Sequence, residues 1–235
     1  MGATLSPAKV SYQYPFAFTL RTEVTFDTFL CQASNAPLLH FLRGFNASSE
    51  RLCLLHGVAA SGKTHLLQAL CHHVEHSVYL PLKQLLDYGP STLDGLENFP
   101  LLVIDDVQAI AGNTAWEHRL FELFNAVHAG SGHLCMAADQ TAAQLPLQLA
   151  DLRSRLQLCV AFEVYALDDA GKADVLRQNA ARRGMELKGD AAQYVLLHSG
   201  RGMHALLHVL DVLDRQSLAE QRRLTVPFIK HCMGW

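Results

Sequence analysis

Short apolar runs alternate with longer amphipathic segments over the first two thirds of the chain. Five of the runs have the length and composition of buried strands, and they read "RLCLLHG", "SVYLPL", "FPLLVIDDV", "HLCMAAD" and "CVAFEV". The segments between them place apolar residues three and four positions apart, which is the spacing of a helix with one buried face. Strands that alternate with helices predict an α/β fold with a five-stranded parallel sheet covered on both faces.

Three amphipathic segments are predicted as helices of this sheet domain. "SGKTHLLQALCHHVEH" has leucines at helical spacing, "AWEHRLFELFNAVHAG" has one apolar stripe, and "QLADLRSRLQL" forms a short helix. Gly130 follows the second segment where a glycine commonly ends a helix. The residues of the stripe are Trp116, Leu120, Leu123, Phe124 and Val127.

The pattern changes after Leu167, where the strand-like runs end. Four helical segments follow, and they read "DDAGKADVLRQNAARRG", "GDAAQYVLLHSG", "GMHALLHVLDVLDRQSL" and "TVPFIKHCM". Asp168 or Asp169 is expected to cap the first of these helices, and Gly184 to end it. The sequence therefore predicts an N-terminal tail (1–20), an α/β base (21–165) and a small all-helical lid (166–235).

Composition narrows the class of protein. Half of the 235 residues are hydrophobic, which suffices for a buried core, and the net charge of −3 gives no basic field for nucleic acid. The six cysteines are scattered without a C-x-x-C pair, and several lie inside apolar runs, as free thiols do in a reducing compartment. The sequence shows neither a signal peptide nor an apolar run of membrane-spanning length. These features predict a cytoplasmic protein without a membrane partner.

A phosphate-binding loop lies between the first predicted strand and the helix that follows it. Gly57 to Thr64 reads "GVAASGKT" and satisfies G-x-x-x-x-G-K-[ST] in full. Such a loop turns its backbone N–H groups toward one anion, while Lys63 meets the β- and γ-phosphates and the Thr64 hydroxyl joins the Mg²⁺ shell. The chain is therefore predicted to bind ADP or ATP. The predicted nucleotide-binding residues of this segment are Gly57, Ala60, Ser61, Gly62, Lys63, Thr64 and His65.

A pair of carboxylates ends the third predicted strand, in "LLVIDD". Asp105 is predicted to hold Mg²⁺ together with Thr64, and Asp106 to orient an attacking water. These residues complete the second half of a nucleotide-hydrolysis site.

With both motifs placed, the chain resembles the DnaA branch of the AAA+ ATPases from about Thr25 onward. The resemblance rests on "FDTF" with a following "SN", "GKTHLL", "LLVIDDVQAIAG", "AAD", "DLRSRL" and "RGMHALL". It implies a P-loop base with a helical lid, which agrees with the predicted domain change. It further implies that Asp139 is the sensor after the fourth strand and that Arg201 is the lid arginine. Arg155 matches the arginine finger, which reaches the γ-phosphate held by a neighbouring molecule.

The chain departs from that branch at several positions. Ala60 and Ser61 stand where the family has a further glycine, and Gln140 follows the sensor where an arginine is usual. Gly202 and His204 replace charged side chains next to the lid arginine. These departures concern the sensing of the nucleotide by the lid.

The end of the chain and its first residues point to one group within the branch. A DnaA initiator carries a helix-turn-helix domain after its lid, whereas this sequence ends at Trp235, so no duplex DNA-binding domain is expected. In this the chain is similar to the Hda-type proteins, which bind the DNA polymerase sliding clamp (β subunit) and stimulate hydrolysis of DnaA-bound ATP. Their clamp-binding segment matches Gln13, Tyr14, Phe16 and Phe18 in "QYPFAF", although the two phenylalanines would also suit packing against the domain.

Three functions stay open from the sequence. The favoured one is a regulator that inactivates DnaA through Arg155. An ATPase in its own right, such as a helicase loader or an accessory initiator, is compatible with Lys63 and the paired aspartates. The third is a non-enzymatic adaptor that holds ADP. A homodimer or higher oligomer is compatible with each of them. His72 and His76, in "CHHVEH", have a spacing that zinc uses on a helix, but further ligands are lacking and a solvated face is favoured.

Overall fold

The computed structural model describes residues 23–200 and 202–235. Two of the predictions lie outside the described residues. They concern the clamp-binding segment (Gln13, Tyr14, Phe16 and Phe18) and the lid residue Arg201.

Five parallel strands form one sheet, as the sequence predicts, in the order β2-β3-β4-β1-β5. Strand β1 is an inner strand that pairs with β4 on one side and with the edge strand β5 on the other, so the phosphate loop that follows β1 emerges one strand in from an edge of the sheet. The strands are β1 (Leu52–His56), β2 (Ser77–Pro81), β3 (Leu101–Asp105), β4 (His133–Ala138) and β5 (Val160–Glu163).

The predicted helices are present, and the described chain also contains two that the pattern did not predict. These two are α1, with eight residues, and α3, with four. Short 3₁₀ turns surround them. The helices are α1 (Ala36–Arg43), α2 (Lys63–His73), α3 (Leu82–Leu85), α4 (Thr114–Ala129), α5 (Ala150–Leu156), α6 (Asp169–Arg182), α7 (Gly189–His198), α8 (Met203–Glu220) and α9 (Val226–Met233).

Successive side chains of β1 point to opposite faces of the sheet, so the interior of the sheet domain has two layers. Leu52 and Leu54 point into a cluster with α4 and α5, whereas Cys53 and Leu55 point into a cluster with α1 and α2. Successive side chains of a strand face opposite sides of the sheet, so each face needs its own cover of helices. The helix that starts at the phosphate loop and the helix that carries Arg155 therefore lie on opposite faces.

The last four helices enclose a third apolar cluster of their own. The Asp168 side chain caps α6 by accepting a hydrogen bond from the Gly171 N–H at 2.8 Å, which selects Asp168 over Asp169 as the cap. Thr225 caps α9 in the same way. The fully buried members of this cluster are Leu176, Ala180, Ala192, Val195, Leu206, Leu210, Leu213 and Ile229.

The prediction that the cysteines are free thiols is confirmed. Burial raises the pKa of the Cys71 and Cys159 thiols to about 12, so both are protonated at neutral pH. The buried cysteines are Cys53, Cys71, Cys135 and Cys159, whereas Cys31 is exposed and Cys232 is intermediate.

The helical geometry assumed for His72 and His76 is wrong. Helix α2 ends at His73, Val74 is extended, and His76 has a left-handed backbone with φ of 58°. The two histidines therefore do not share a helical turn. Within the described residues, no group of three or more histidine, cysteine, aspartate or glutamate side chains is arranged to hold a metal ion. Nor is any helix among those residues long and apolar enough to cross a bilayer.

Candidate nucleotide-binding site and the arginine on α5

The phosphate loop has the backbone path that its glycines allow. Gly57 and Gly62 have φ of 147° and 105°, and a Cβ atom at Gly57 would lie 2.6 Å from the carbonyl oxygen of Val164. Ala60 also has a left-handed backbone, with φ of 60°. That conformation costs a non-glycine residue about 1–2 kcal/mol, which agrees with the further glycine that the resemblance implies at this part of the loop.

Lys63 folds back over the loop and lies among three carboxylates. Its Nζ donates hydrogen bonds to the carbonyl oxygens of Gly57 at 2.7 Å and Val58 at 2.9 Å. Burial lowers the pKa of Lys63, and the nearby charges of Asp105, Asp139 and Asp106 oppose that shift. The tertiary structure thus brings together a lysine and three aspartates that are up to 76 positions apart in the sequence.

Asp105 is a buried hydrogen-bond acceptor at the carboxyl end of β3. Its Oδ2 accepts from the Thr64 hydroxyl at 2.7 Å and from the Tyr79 hydroxyl at 2.9 Å, and its Oδ1 accepts from the Asp106 N–H at 2.9 Å. Burial raises the pKa of Asp105, while the hydrogen bonds from Thr64 and Tyr79 lower it. A carboxylate and a hydroxyl in direct contact form a donor set that suits Mg²⁺.

Gln108 links Asp106 to the end of the neighbouring strand. Its Nε2 donates to Asp106 Oδ1 at 2.9 Å, and its Oε1 accepts from the Asp139 N–H at 3.2 Å. Asp106 itself has a left-handed backbone with φ of 58°, a conformation that strains a non-glycine residue. The amide of Gln108 therefore fixes the orientation of Asp106 relative to Asp139.

The loop carries polar groups that suit a phosphate. The Ser61 hydroxyl is buried, and its oxygen has no hydrogen-bond partner within the described chain. Helix α2 begins directly after Gly62 without a side-chain cap, so the N–H groups of its first turn are available to an anion. Together with Lys63, Thr64 and Asp105, these groups fit a nucleotide with its Mg²⁺.

His65 faces the segment before α1 and not the loop. Its Nε2 lies 2.9 Å from the carbonyl oxygen of Thr25, and its ring meets Phe29 edge-on at 5.4 Å. Burial lowers the pKa of His65, the hydrogen bond with Thr25 raises it, and the charge of Arg182 lowers it further. Arg182 belongs to α6, so a lid cation lies close to the start of α2.

Arg155 lies in the last turn of α5, half-buried, between the fully buried Leu152 and the buried Leu156. Its guanidinium forms no ion pair or side-chain hydrogen bond with any residue in 23–200 or 202–235. The side chain of Leu158, which follows the helix, is 59% exposed. An unpaired guanidinium, with an exposed apolar residue three positions further along the chain, is suited to an anion on another molecule.

Three residues of this region were not singled out from the sequence. Tyr79 lies within an apolar strand pattern, and that pattern does not predict its contact with Asp105. Gln108 lies within the segment "LLVIDDVQAIAG", whose resemblance to DnaA was the available signal. Glu117 resembles a surface acid in the first turn of α4, but it is fully buried.

Two family models match adjoining parts of the chain. The model described as the bacterial DnaA ATPase domain matches residues 93–163, and the model described as Hda, lid domain, matches residues 169–233. A Haemophilus influenzae protein described as uncharacterized is 37% identical over 183 residues, which cover 76% of this chain and 79% of that protein.

Solved structures of DnaA share the fold. Domain III of the replication initiation protein DnaA from Thermotoga maritima has a TM-score of 0.78 at 21% identity, over 92% of this chain and 97% of that one. AMPPCP-bound DnaA from Aquifex aeolicus has a TM-score of 0.68 at 19% identity, over 87% of this chain and 70% of that one. These similarities confirm the DnaA-like AAA+ fold, with its five-stranded parallel sheet and helical lid.

Proposed function

The chain belongs to the Hda-like homologues of the bacterial initiator DnaA, and on that premise we propose that it inactivates DnaA by stimulating hydrolysis of DnaA-bound ATP. Membership makes it a DnaA-related replication regulator that binds nucleotide through its AAA+ fold.

The observation that carries the proposal is the free guanidinium of Arg155. Most arginines at a protein surface are solvated or paired with acids, but this one lies in the last turn of a helix that is anchored by two buried leucines, and it has no anionic partner in the described residues. A guanidinium at a γ-phosphate stabilises the charge of phosphoryl transfer and raises its rate by about 10³–10⁵-fold. We therefore assign Arg155 the role of an arginine finger that acts on ATP held by DnaA.

The chain's own nucleotide site is proposed to hold ADP or ATP. The loop from Gly57 to Thr64 and the start of α2 would bind the phosphates, and Thr64 with Asp105 would bind Mg²⁺. The ion would screen the phosphate charge. Asp106 and Asp139, held in register by Gln108, face the loop lysine and would contact the terminal phosphate or its water. Arg201 is proposed to approach the same nucleotide from the lid.

A second function is favoured by this intact set of residues. Lys63, Thr64, Asp105 and Asp106 are the groups that an AAA+ ATPase uses for its own turnover. On that basis the chain would act as a helicase loader or an accessory initiator, with weak ATPase activity. Such a protein would hydrolyse ATP without DnaA and would not need Arg155 to stimulate another molecule.

Association with the sliding clamp is part of the first proposal. Gln13, Tyr14, Phe16 and Phe18 alternate a glutamine with large apolar groups, a pattern that suits an extended peptide in an apolar groove. The clamp would bring Arg155 to DnaA on DNA. A tail (1–20), a base (21–165) and a lid (166–235) remain the proposed division of the chain.

The substitution Arg155→Ala tests the role of the finger. We expect the variant to bind ADP and the clamp as the parent does, and its stimulation of phosphate release from ATP-bound DnaA to fall by about 10³-fold or to the unstimulated rate. Release of phosphate is followed with purified clamp loaded on DNA. Arg155→Lys should recover little, because an ammonium lacks the planar fork of donors.

Arg215→Ala is the matched control, since Arg215 is an exposed lid arginine that donates only to the Asp211 carbonyl. Its stimulation should equal that of the parent. Normal stimulation by Arg155→Ala would refute the finger. ATP hydrolysis by the chain without DnaA, unaffected by Arg155→Ala, would favour the second function.

A further inference from the structure

A fully buried carboxylate, that of Glu117 in α4, lies outside the nucleotide site. Its Oε1 accepts from the Gly112 N–H at 2.7 Å and from the Gln148 N–H at 3.1 Å, and its Oε2 accepts from the Leu149 N–H at 2.7 Å. A buried carboxylate is costly unless such hydrogen bonds satisfy it, and bonds to an ionised acceptor are the stronger kind. The three N–H donors therefore compensate the cost of burying the Glu117 carboxylate, and the carboxylate in turn fixes the backbone groups that it binds.

Glu117 joins two loops that are far apart in the sequence. Gly112 belongs to the loop after β3, which begins with Asp106, and Gln148 and Leu149 lead into α5. Helix α5 has seven residues and no side-chain cap at Leu149. The N–H groups at its entrance are satisfied from α4 instead of from the helix itself, so Glu117 sets where α5 begins.

Other contacts also hold α5 against the domain, but they do not replace the hydrogen bonds to Glu117. Leu152 and Leu156 are buried against α4, and the Arg153 side chain donates to the Leu147 carbonyl. The apolar contacts are non-directional, whereas three hydrogen bonds to one carboxylate define position and angle. Loss of the carboxylate should loosen the orientation of α5 without unfolding it.

The orientation of α5 determines where Arg155 points. Arg155 is six residues beyond Leu149, which corresponds to about 9 Å along a helix. A small rotation at the start of the helix therefore displaces the guanidinium, and a displacement of about 1 Å can cost about 10²-fold in rate. We propose that Glu117 is the positioning residue of the arginine finger. This inference rests on the proposed function.

Glu117→Gln tests the inference, because the amide places an N–H donor against one of the three N–H groups. The maximal stimulation of DnaA ATP hydrolysis should fall by about tenfold to a hundredfold, while the concentration for half-maximal stimulation and the affinity for ADP stay as in the parent. Glu122→Gln makes the same change on the same helix at an exposed side chain, and it should stimulate normally.

The double variant Glu117→Gln/Arg155→Ala distinguishes positioning from a general structural role. If Glu117 acts through Arg155, Glu117→Gln should lower stimulation in the parent but cause no further loss of the stimulation that Arg155→Ala retains above the unstimulated rate, so the two effects do not add. Full additivity, or an equal loss of ADP affinity, would overturn the inference. So would parental stimulation by Glu117→Gln.

Glu117→Asp covers the case in which Glu117→Gln does not fold. It keeps the charge but is one methylene shorter, so its carboxylate cannot reach both loops equally, and reduced maximal stimulation is expected. Parental stimulation by a folded Glu117→Asp, or loss of folding in both variants, would assign the carboxylate to stability alone and end the inference. If Arg155→Ala itself stimulates normally, the proposed function fails separately.

Discussion

At the scale of single residues, the candidate site depends on groups whose environments differ strongly. Asp105 is buried and accepts three hydrogen bonds, whereas Asp139 is exposed at the end of β4 and contacts Gln108 by donating its backbone N–H to Gln108 Oε1. The negative charges of both act to raise the pKa of Lys63, against the effect of burial. Lys63 is thus the one cation of the described loop whose pKa all three aspartates influence. Its removal should weaken the binding of the nucleotide phosphates.

Lys63→Ala should abolish the stabilisation that ADP confers. Binding at a ligand concentration of a hundred times Kd raises the free energy of unfolding by about 2.7 kcal/mol, which appears as a higher melting temperature. We expect this shift with the parent and with Lys188→Ala, an exposed lid lysine, but not with Lys63→Ala. An equal ADP-dependent shift in Lys63→Ala would refute the assignment of the phosphate loop. Scanning calorimetry with and without ADP and Mg²⁺ measures it.

At the scale of elements, one side chain links the start of the described chain to the segment between sheet and lid. Asn35, which is 1% exposed, donates from Nδ2 to the Tyr165 carbonyl at 2.9 Å and accepts on Oδ1 from the Tyr165 N–H at 3.0 Å. Gln32 Nε2 donates a further hydrogen bond to Oδ1 of Asp168, the cap of α6, at 3.3 Å. The short helices before β1 therefore hold the segment from which the lid begins.

Asn35→Ala should lower the free energy of unfolding by about 2 kcal/mol, because it removes both hydrogen bonds and leaves backbone groups of Tyr165 unpaired. Urea denaturation followed by circular dichroism measures the change. Asn46→Ala is the control, since Asn46 is exposed, and its effect should stay within about 0.5 kcal/mol. Equal effects of the two substitutions would show that the Asn35 contact contributes no stability.

At the scale of the whole molecule, the sheet domain has two interior layers and the lid has a core of its own. The helix that starts at the phosphate loop and the helix that carries Arg155 pack on different faces of the sheet. Helix α2, which starts at the phosphate loop, lies on the side of the sheet that α1 covers, and α5, which carries Arg155, lies on the side that α4 covers. This separation is compatible with the proposal that the chain holds its own nucleotide while Arg155 acts on the nucleotide of another molecule. Recruitment to the clamp is proposed to reside in a third place, the N-terminal segment.

Removal of residues 1–20 tests that separation. The truncated protein should bind ADP as the parent does but lose affinity for the purified clamp, measured by surface plasmon resonance. Replacement of Phe16 and Phe18 by alanine in the full chain should have the same effect. Unchanged clamp affinity would exclude the segment, and a large fall in the melting temperature would indicate that the phenylalanines pack against the domain instead.

The order of strands and helices, the phosphate loop, the paired aspartates and the helical lid follow from the sequence, because hydrophobic period and loop chemistry are local properties. The sequence placed Asp105 next to a strand end, but only the tertiary structure brought the Tyr79 hydroxyl to it across the β2–β3 pair. Likewise, Glu117 fits the pattern of a solvated acid, and its burial is decided by loops whose N–H groups bond to it from 5 residues before and 32 residues after it. Helix α2 was predicted to reach His76, yet it stops at His73 because the chain must turn into β2. Local patterns determine which elements form, whereas contacts between distant segments determine which polar groups are buried, and those contacts carry the proposed chemistry.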